Sequence, residues 1–358
     1  MTLAAARPDA AGTGSLRERC DAELAAFLDR QDPHWPDGAP RGVFDRLRRF
    51  VLAGGKRLRP TFCYWGWRGA GGPDCREIVA AAAALEIFHA FALIHDDIMD
   101  GSDQRRGEPS VHRFFTDLHA RSAWRGDAGR YGHNAALLCG DLCAAWADQM
   151  FHESGLPAEQ IRRGYAVFAA MRTEVIAGQY LDLVSGVGDG SVASALTVIR
   201  MKAARYTVTR PLQIGAALVG AGEEVRAGYA AFGDPLGDAF QLRDDVLGVF
   251  GDPAVTGKSV LDDLREGKST VMMALARDQA DREQARRLRE LVGDPEVDLA
   301  GAEELRSIIV ATGALDAIEQ MIRLRTQAAV AALADAPLTD EARRELTTLA
   351  ESVAERQS

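Results

Sequence analysis

Ala90-Phe91-Ala92-Leu93-Ile94-His95-Asp96-Asp97-Ile98-Met99-Asp100 closes an alanine-rich apolar run that begins near Ile78. No strand-like alternation competes with its helical spacing, so the run reads as a helix buried in a larger helical body. Three carboxylates nevertheless end it, where the helix dipole is already negative. Carboxylates clustered in an apolar setting repel one another and are tolerated mainly when a divalent cation neutralises them. Asp96 and Asp100 lie one turn apart on one face, and His89, two turns before Asp96, falls within about 20° of the same line. Arg105 and Arg106 follow in a glycine-flanked loop, placed to fold back over that face. A solvated acidic helix end with ordinary arginine partners is the plain alternative. Phe88, Phe91, Leu93 and Ile94 before the acids are those of a buried helix and speak against it.

A second stripe, Gln241, Asp244, Asp245 and Gly248, follows Phe240 and precedes Leu247, Val249 and Phe250. Its spacings of three, four and seven put it on one helical face, so two acidic walls facing across a cavity are expected. Downstream, Lys258 and Lys268 stand in a glycine-bearing stretch that could close on a phosphate. Gly54-Gly55-Lys56-Arg57-Leu58-Arg59-Pro60 can be read as a helix stop with basic residues on the C-terminal end of the dipole. With two acidic patches elsewhere, its three cations in four residues read better as a diphosphate site. Gln179 with Asp182, and Lys202 with Arg205 and Tyr206, read separately as ordinary surface or helix contacts.

Working outward, the 358 residues are 47% hydrophobic but only 7% aromatic and rich in alanine, which suits closely packed helices. An all-α fold is expected: a flexible tail over residues 1–14, then one helical domain over 15–358. Phe44, Leu47, Phe50 and Val51 form a further helical stripe. Breaks fall at Gly54-Gly55, Gly69 to Pro73, Gly101 to Pro109, Gly186 to Gly190 and Gly251 to Lys258. Asp117 to His133 reads as a surface loop or an irregular connection. A net charge of −10 disfavours a nucleic-acid partner. Cys20, Cys63, Cys75, Cys139 and Cys143 are odd in number and lack zinc spacing, so buried thiols in a reducing compartment are expected. No basic start leads into an apolar segment, and no uninterrupted apolar run reaches membrane-spanning length, so a cytoplasmic protein is expected.

Gly54 to Pro60, Leu93 to Asp100, Arg105-Arg106-Gly107, Gly178-Gln179 and Phe240 to Asp245, in this order, resemble the trans-polyprenyl synthase family over roughly residues 41 to 275. The resemblance implies a helical bundle around a deep central cavity, a homodimer, and Mg²⁺ between the two aspartate motifs, roughly three ions per site. It implies metal ligation by Asp96, Asp100 and Asp244, with Asp97 in support. Arg105, Lys202, Gln241, Lys258 and Lys268 would hold an allylic diphosphate, and Lys56, Arg59, His89 and Arg106 isopentenyl diphosphate. Catalysis would rest on Asp96, Asp100, Arg105, Lys202 and Asp244.

Two positions depart from the family pattern: Gly248 stands where the second motif usually closes with aspartate, and Ala203 where threonine or serine usually follows the lysine. Phe91 lies about 7 to 8 Å and Phe88 about 12 Å from Asp96 toward the helix start, so either ring could floor the cavity. Phe91 beside small Ala92, with no insertion in the first motif, resembles the geranylgeranyl-forming members, with farnesyl diphosphate as the alternative product. A terpene cyclase is the nearest rival, but its second metal motif begins with asparagine, and the only asparagine, Asn134, is followed by Ala135-Ala136. A metal phosphohydrolase built on His95-Asp96 leaves the basic motif unexplained. A regulatory synthase subunit would need degraded aspartate motifs.

Overall fold

The computed structural model describes residues 15–35, 41–185, 190–251 and 261–354. The expected tail over 1–14 and Lys258 lie outside these residues. The described chain is helical almost throughout. Helices α1 (Leu16–Gln31), α2 (Arg41–Leu52) and α3 (Leu58–Gly69) lead into the 24-residue α4 (Arg76–Met99). After α4 come α5 (Val111–Arg121), α6 (Ala128–His152) and α7 (Ala158–Ser185). Then α8 (Val192–Val198) runs through a widened segment, Ile199–Thr209, directly into α9 (Arg210–Val219). The 28-residue α10 (Glu223–Phe250) is followed by α11 (Asp262–Glu266), α12 (Val271–Gln279), α13 (Arg282–Leu291), α14 (Leu299–Ala311), α15 (Ala314–Asp335) and α16 (Asp340–Ala354).

Two apolar cores organise the bundle. One gathers mainly on α1 to α7 around Phe27, Phe88, Phe115, Phe151 and Phe168, the other mainly on α8 to α16 around Tyr229, Phe232, Leu242 and Met272. Burying one such leucine or phenylalanine contributes roughly 1.5–3 kcal/mol, so the amphipathic stripes hold the helices together far more than propensity does. Helix α4 packs mostly against α6, α3 and α1, while α10 packs against α15 and the widened segment. Phe44, Leu47, Phe50 and Val51 are buried on α2, as their spacing predicts.

Asp117 to His133 is mostly helix rather than loop: α5 continues to Arg121, α6 starts at Ala128, and only six residues connect them. The polar residues there hid a buried stripe, Val111, His112, Phe115 and His119, and a helix start at which Asp127 accepts from the Arg130 amide. Helix α4 also qualifies expectations about apolar length, since it is long and apolar enough to cross a membrane. Most of that window is buried among neighbouring helices, and the helix ends on carboxylates, as in the core of a bundle. The cysteines form no disulfide among the described residues; four are buried, and burial pushes the Cys20 and Cys139 thiols up to about 12.

Candidate active site

A cavity of about 700 Å³ opens between the two cores, lined by α4, α7, the widened segment, α10 and the turn before α12. Helix α4 delivers its acids at its last turn. Gly101 stops the helix with a φ of +65°, and the Ser102 amide donates to the Asp97 carbonyl at 3.0 Å. A two-residue antiparallel hairpin follows, Gln104–Arg105 against Glu108–Pro109, whose tip residues Arg106 and Gly107 both have positive φ. That tight turn sends neighbouring arginines in different directions. Arg105 donates from Nε to Asp97 at 2.8 Å and lies 3.9 Å from Asp96, whereas Arg106 reaches the Gly54 carbonyl at 2.8 Å.

Asp97 is fully buried and sits outside the cavity lining, so the residue expected to support a metal instead serves as the counter-charge of Arg105. Helical geometry accounts for this, because Asp97 lies about 100° around the helix from Asp96. Asp96 does line the cavity and pairs with Lys202 at 3.1 Å, while Asp100 pairs with Lys268 at 3.2 Å. Burial opposes ionisation of Asp96, but Lys202, Lys268 and Arg105 outweigh it and hold its carboxyl below the ordinary range. Asp100 goes the other way: burial and repulsion from Asp96 push it up despite the two lysines.

Lys202 sits on the segment Ile199–Thr209, where the helix widens to i→i+5 bonding; the Arg210 amide, for example, reaches the Arg205 carbonyl. Such segments are rare and concentrate at functional sites. The widening faces Ile199, Lys202, Ala203, Tyr206 and Thr207 into the cavity. Across from it, α7 contributes Gln179 and Asp182, with Asp182 accepting from Lys202 at 2.7 Å. Gln179, Asp182, Lys202 and Tyr206, whose spacing alone reads as ordinary surface or helix contacts, are therefore parts of one wall, while Arg205 turns away from it to Asp234. Their signal was polar residues at three- and four-residue spacing on otherwise apolar helices.

Helix α10 brings Phe240, Gln241, Asp244 and Asp245 to the facing wall, and Gln241 donates to Asp245 at 2.9 Å. Beyond the segment that contains Lys258, Lys268, Ser269 and Thr270 complete the rim. Sequence reading missed the last two, although Thr270 is the N-cap of α12 and accepts from the Met273 amide.

The basic turn separates into two roles. Arg57, in a left-handed conformation at φ 48°, is buried and pairs with Glu86 at 2.9 Å and Asp21 at 2.7 Å, which fixes the turn. Arg59 lines the cavity, stacks 4.2 Å over the Tyr206 ring and donates to Thr207 at 2.9 Å. Lys56 is exposed and outside the lining. His89 and Arg106 line both the cavity and a smaller crevice beside it, with His89 Nδ1 3.2 Å from the Tyr206 hydroxyl. Burial, then the positive charge of Arg59, Arg106, Arg105 and Arg57, holds the His89 imidazole well below its ordinary pKa. So many cations around one neutral ring make a place that favours an anion.

The apolar part of the lining includes Phe91, Ala92, Leu93, Val175 and Ile176. Phe91 packs edge-on against His95 at 4.8 Å, and His95 donates to the Leu137 carbonyl at 3.1 Å. Phe88, the other expected floor residue, lies outside the lining, buried against Phe91, Phe168 and Tyr206, so it supports the floor from behind. Among the described residues no three His, Cys, Asp or Glu side chains converge as a ready-made metal cage. The buried oxygens Asp96 Oδ1 and Asp100 Oδ2 face the Lys202 and Lys268 ammonium groups, which fits an ion that completes its shell with substrate phosphates.

The description Polyprenyl synthetase matches residues 43–309. A geranylfarnesyl diphosphate synthase from Aeropyrum pernix is 36% identical over 304 residues, 84% of this chain and 89% of its own. A geranylgeranyl diphosphate synthase from Sulfolobus acidocaldarius is 34% identical over 234 residues, 64% of this chain and 66% of its own. A geranylgeranyl pyrophosphate synthase from Corynebacterium glutamicum, solved with isoprenyl diphosphate and magnesium, superposes with a TM-score of 0.92 at 41% identity, covering 95% of this chain and 98% of that one. The helical fold and its two-walled cavity thus define an isoprenoid synthase. The chain belongs to the polyprenyl synthetase family and is a trans-prenyltransferase.

Proposed function

We propose that this prenyltransferase extends an allylic diphosphate with isopentenyl diphosphate and releases geranylgeranyl diphosphate. The observation that carries the reading is one cavity whose lining joins a charged set, Asp96, Lys202, Asp244, Lys268 and Arg105, to an apolar set, Phe91, Ala92, Val175 and Ile176. Arg105, Lys202, Gln241 and Lys268 hold the allylic diphosphate, joined by Lys258 from outside the described residues. Arg59, His89 and Arg106 hold isopentenyl diphosphate, with Lys56 at the exposed edge. Asp96, Asp100 and Asp244 would hold Mg²⁺, which would supply Lewis acidity toward the diphosphate when bound.

The protein's own cations stabilise the charge that develops as the allylic carbon–oxygen bond breaks. The apolar walls keep water from the resulting carbocation. The isopentenyl double bond supplies the electron pair of the new carbon–carbon bond, and the proton then lost from the adjacent carbon passes to the released diphosphate. On this reading the protein works in the cytoplasm as a homodimer, paired through exposed Leu137 and Leu138 of α6, which lie outside the cavity lining.

Purified protein incubated with Mg²⁺, isopentenyl diphosphate and each short allylic diphosphate, followed by product sizing, tests reaction, primer and length together. A hydrocarbon or alcohol formed from a prenyl diphosphate alone would replace the reading with a cyclase. Phe91→Ala opens the floor and is expected to lengthen the product; an unchanged chain length removes Phe91 from that role.

A further inference from the structure

Helix α10 carries two Gly-Asp pairs one turn apart, Gly233-Asp234 and Gly237-Asp238, before its cavity-lining residues begin. Both glycines are notches. A Cβ on Gly237 would stand 2.6 Å from the Ala204 backbone, and one on Gly233 would stand 2.6 Å from Thr209 Oγ1. On the opposite side, a Cβ on Gly178 of α7 would stand 2.5 Å from the Lys202 amide nitrogen. The widened segment is therefore seated against both helices at contact distance.

The aspartates beside the notches reach the same segment. Asp234 accepts from Thr209 Oγ1 at 2.7 Å and lies 3.4 Å from Arg205. Asp238, buried to 3% exposure, lies 3.3 Å from Arg200 and 3.3 Å from Arg325 of α15. Arg200 and Arg205 are five residues apart, close to one turn of an i→i+5 helix but about 140° out of line on a 3.6-residue helix. Facing Asp238 and Asp234, which are one turn apart on α10, they can pair together in the wide form and not in an ordinary helix. Within the same segment Lys202 pairs with Asp96 and Asp182.

We propose that Asp234 and Asp238 are positioning residues that lock the widened segment open and so aim Lys202 at the allylic diphosphate. The proposal rests on the assignment of Lys202 to that diphosphate. It also links the helix bearing the second aspartate motif to the first motif through protein contacts alone.

The test uses Asp238→Asn and Asp234→Asn in the full chain. Each is expected to raise the KM for the allylic diphosphate about tenfold, the scale of a sub-ångström misplacement. The KM for isopentenyl diphosphate stays within about twofold, and neither variant adds to the effect of Lys202→Ala in a double-mutant cycle. Amide hydrogen exchange should accelerate over 199–209. Arg325→Met, which removes only the α15 partner of Asp238, should lower thermal stability without moving the allylic KM. An allylic KM that stays put with exchange unchanged overturns the proposal, as does a KM that rises equally in Arg325→Met. If Lys202→Ala itself leaves the allylic KM unchanged, the assignment of Lys202 falls. Exchange over 199–209 then decides the lock, acceleration confined to that segment supporting it and unchanged exchange overturning it. Should Asp238→Asn fail to fold, Asp234→Asn, at a less buried carboxylate, carries the same measurements.

Discussion

Helices α4 and α10 bring carboxylates to the same cavity but are built differently. The acids of α4 come at its end, against the helix dipole, and protein cations meet each of them: Lys202 on Asp96, Arg105 on Asp97, Lys268 on Asp100. The acids of α10 lie inside a helix that continues to Phe250, and Asp245 accepts from Gln241 of its own helix. Where α4 has a third carboxylate one turn on, α10 has Gly248. On the proposed reading the lysines of the first cluster follow a phosphate while its carboxylates take a cation, and α10, with Gly248 in place of a third carboxylate, offers one oxygen donor fewer.

The largest effect should come from emptying the better-equipped side. Asp96→Ala is expected to cut turnover by about three orders of magnitude or more, the scale of losing a charge-stabilising element of a metal-assisted site, with the helical circular dichroism retained. Near-normal turnover would remove Asp96 from the metal site and break the comparison.

The basic turn offers the next largest effect, in stability rather than turnover. Arg57 shares a buried pair with Glu86, with side-chain exposures of 2% and 5%. Arg57→Ala strands the Glu86 carboxylate and is expected to cost about 3–5 kcal/mol, seen as a lowered midpoint in denaturant unfolding. Arg59→Ala, at a cavity-lining residue, should instead raise the KM for isopentenyl diphosphate at little cost in stability. An exchange of these two outcomes would reverse the assignment of structural and binding arginines within one turn.

Gly248→Asp makes α10 resemble α4. The new carboxylate would stand one turn beyond Asp244, and the Mg²⁺ concentration for half-maximal activity should fall about threefold, in line with one further oxygen donor. An unchanged Mg²⁺ requirement would mean that α10 is complete with glycine.

Much of this was legible in the sequence because the chemistry is periodic. Asp96 with Asp100, and Gln241 with Asp244 and Asp245, announce themselves as polar stripes on apolar helices, and both reach one site. Arg105 and Arg106 were legible as a pair folding back, but their divergence depends on positive φ at Arg106, which no composition signals. The widened segment was illegible for a similar reason: it packs at contact distance against Gly178, Gly233 and Gly237 on two other helices, contacts that its local period does not signal. That Asp97 turns to Arg105 while Asp96 lines the cavity was not legible, because adjacent aspartates on a helix diverge by about 100° and only packing decides which one meets the cavity.

The smallest expected effect is read at His89, upstream of the α4 acids. In the unliganded protein burial and four arginines keep this imidazole neutral, its pKa well below ordinary. The unfolded chain takes up a proton near pH 6.5 that the folded chain refuses, so this residue's contribution to stability is full above about pH 6.5 and falls below it, by up to about 1.4 kcal/mol per pH unit. A diphosphate bound among Arg59, Arg106 and His89 reverses the balance, since an adjacent anion favours the imidazolium. The His89 resonance should therefore show no titration from pH 8 down to 6 when unliganded and acquire a raised pKa when isopentenyl diphosphate is added. An imidazole that titrates near 6.5 without ligand would mean that this end of α4 is no more cationic than the acidic end, and the division of labour along the helix would be lost.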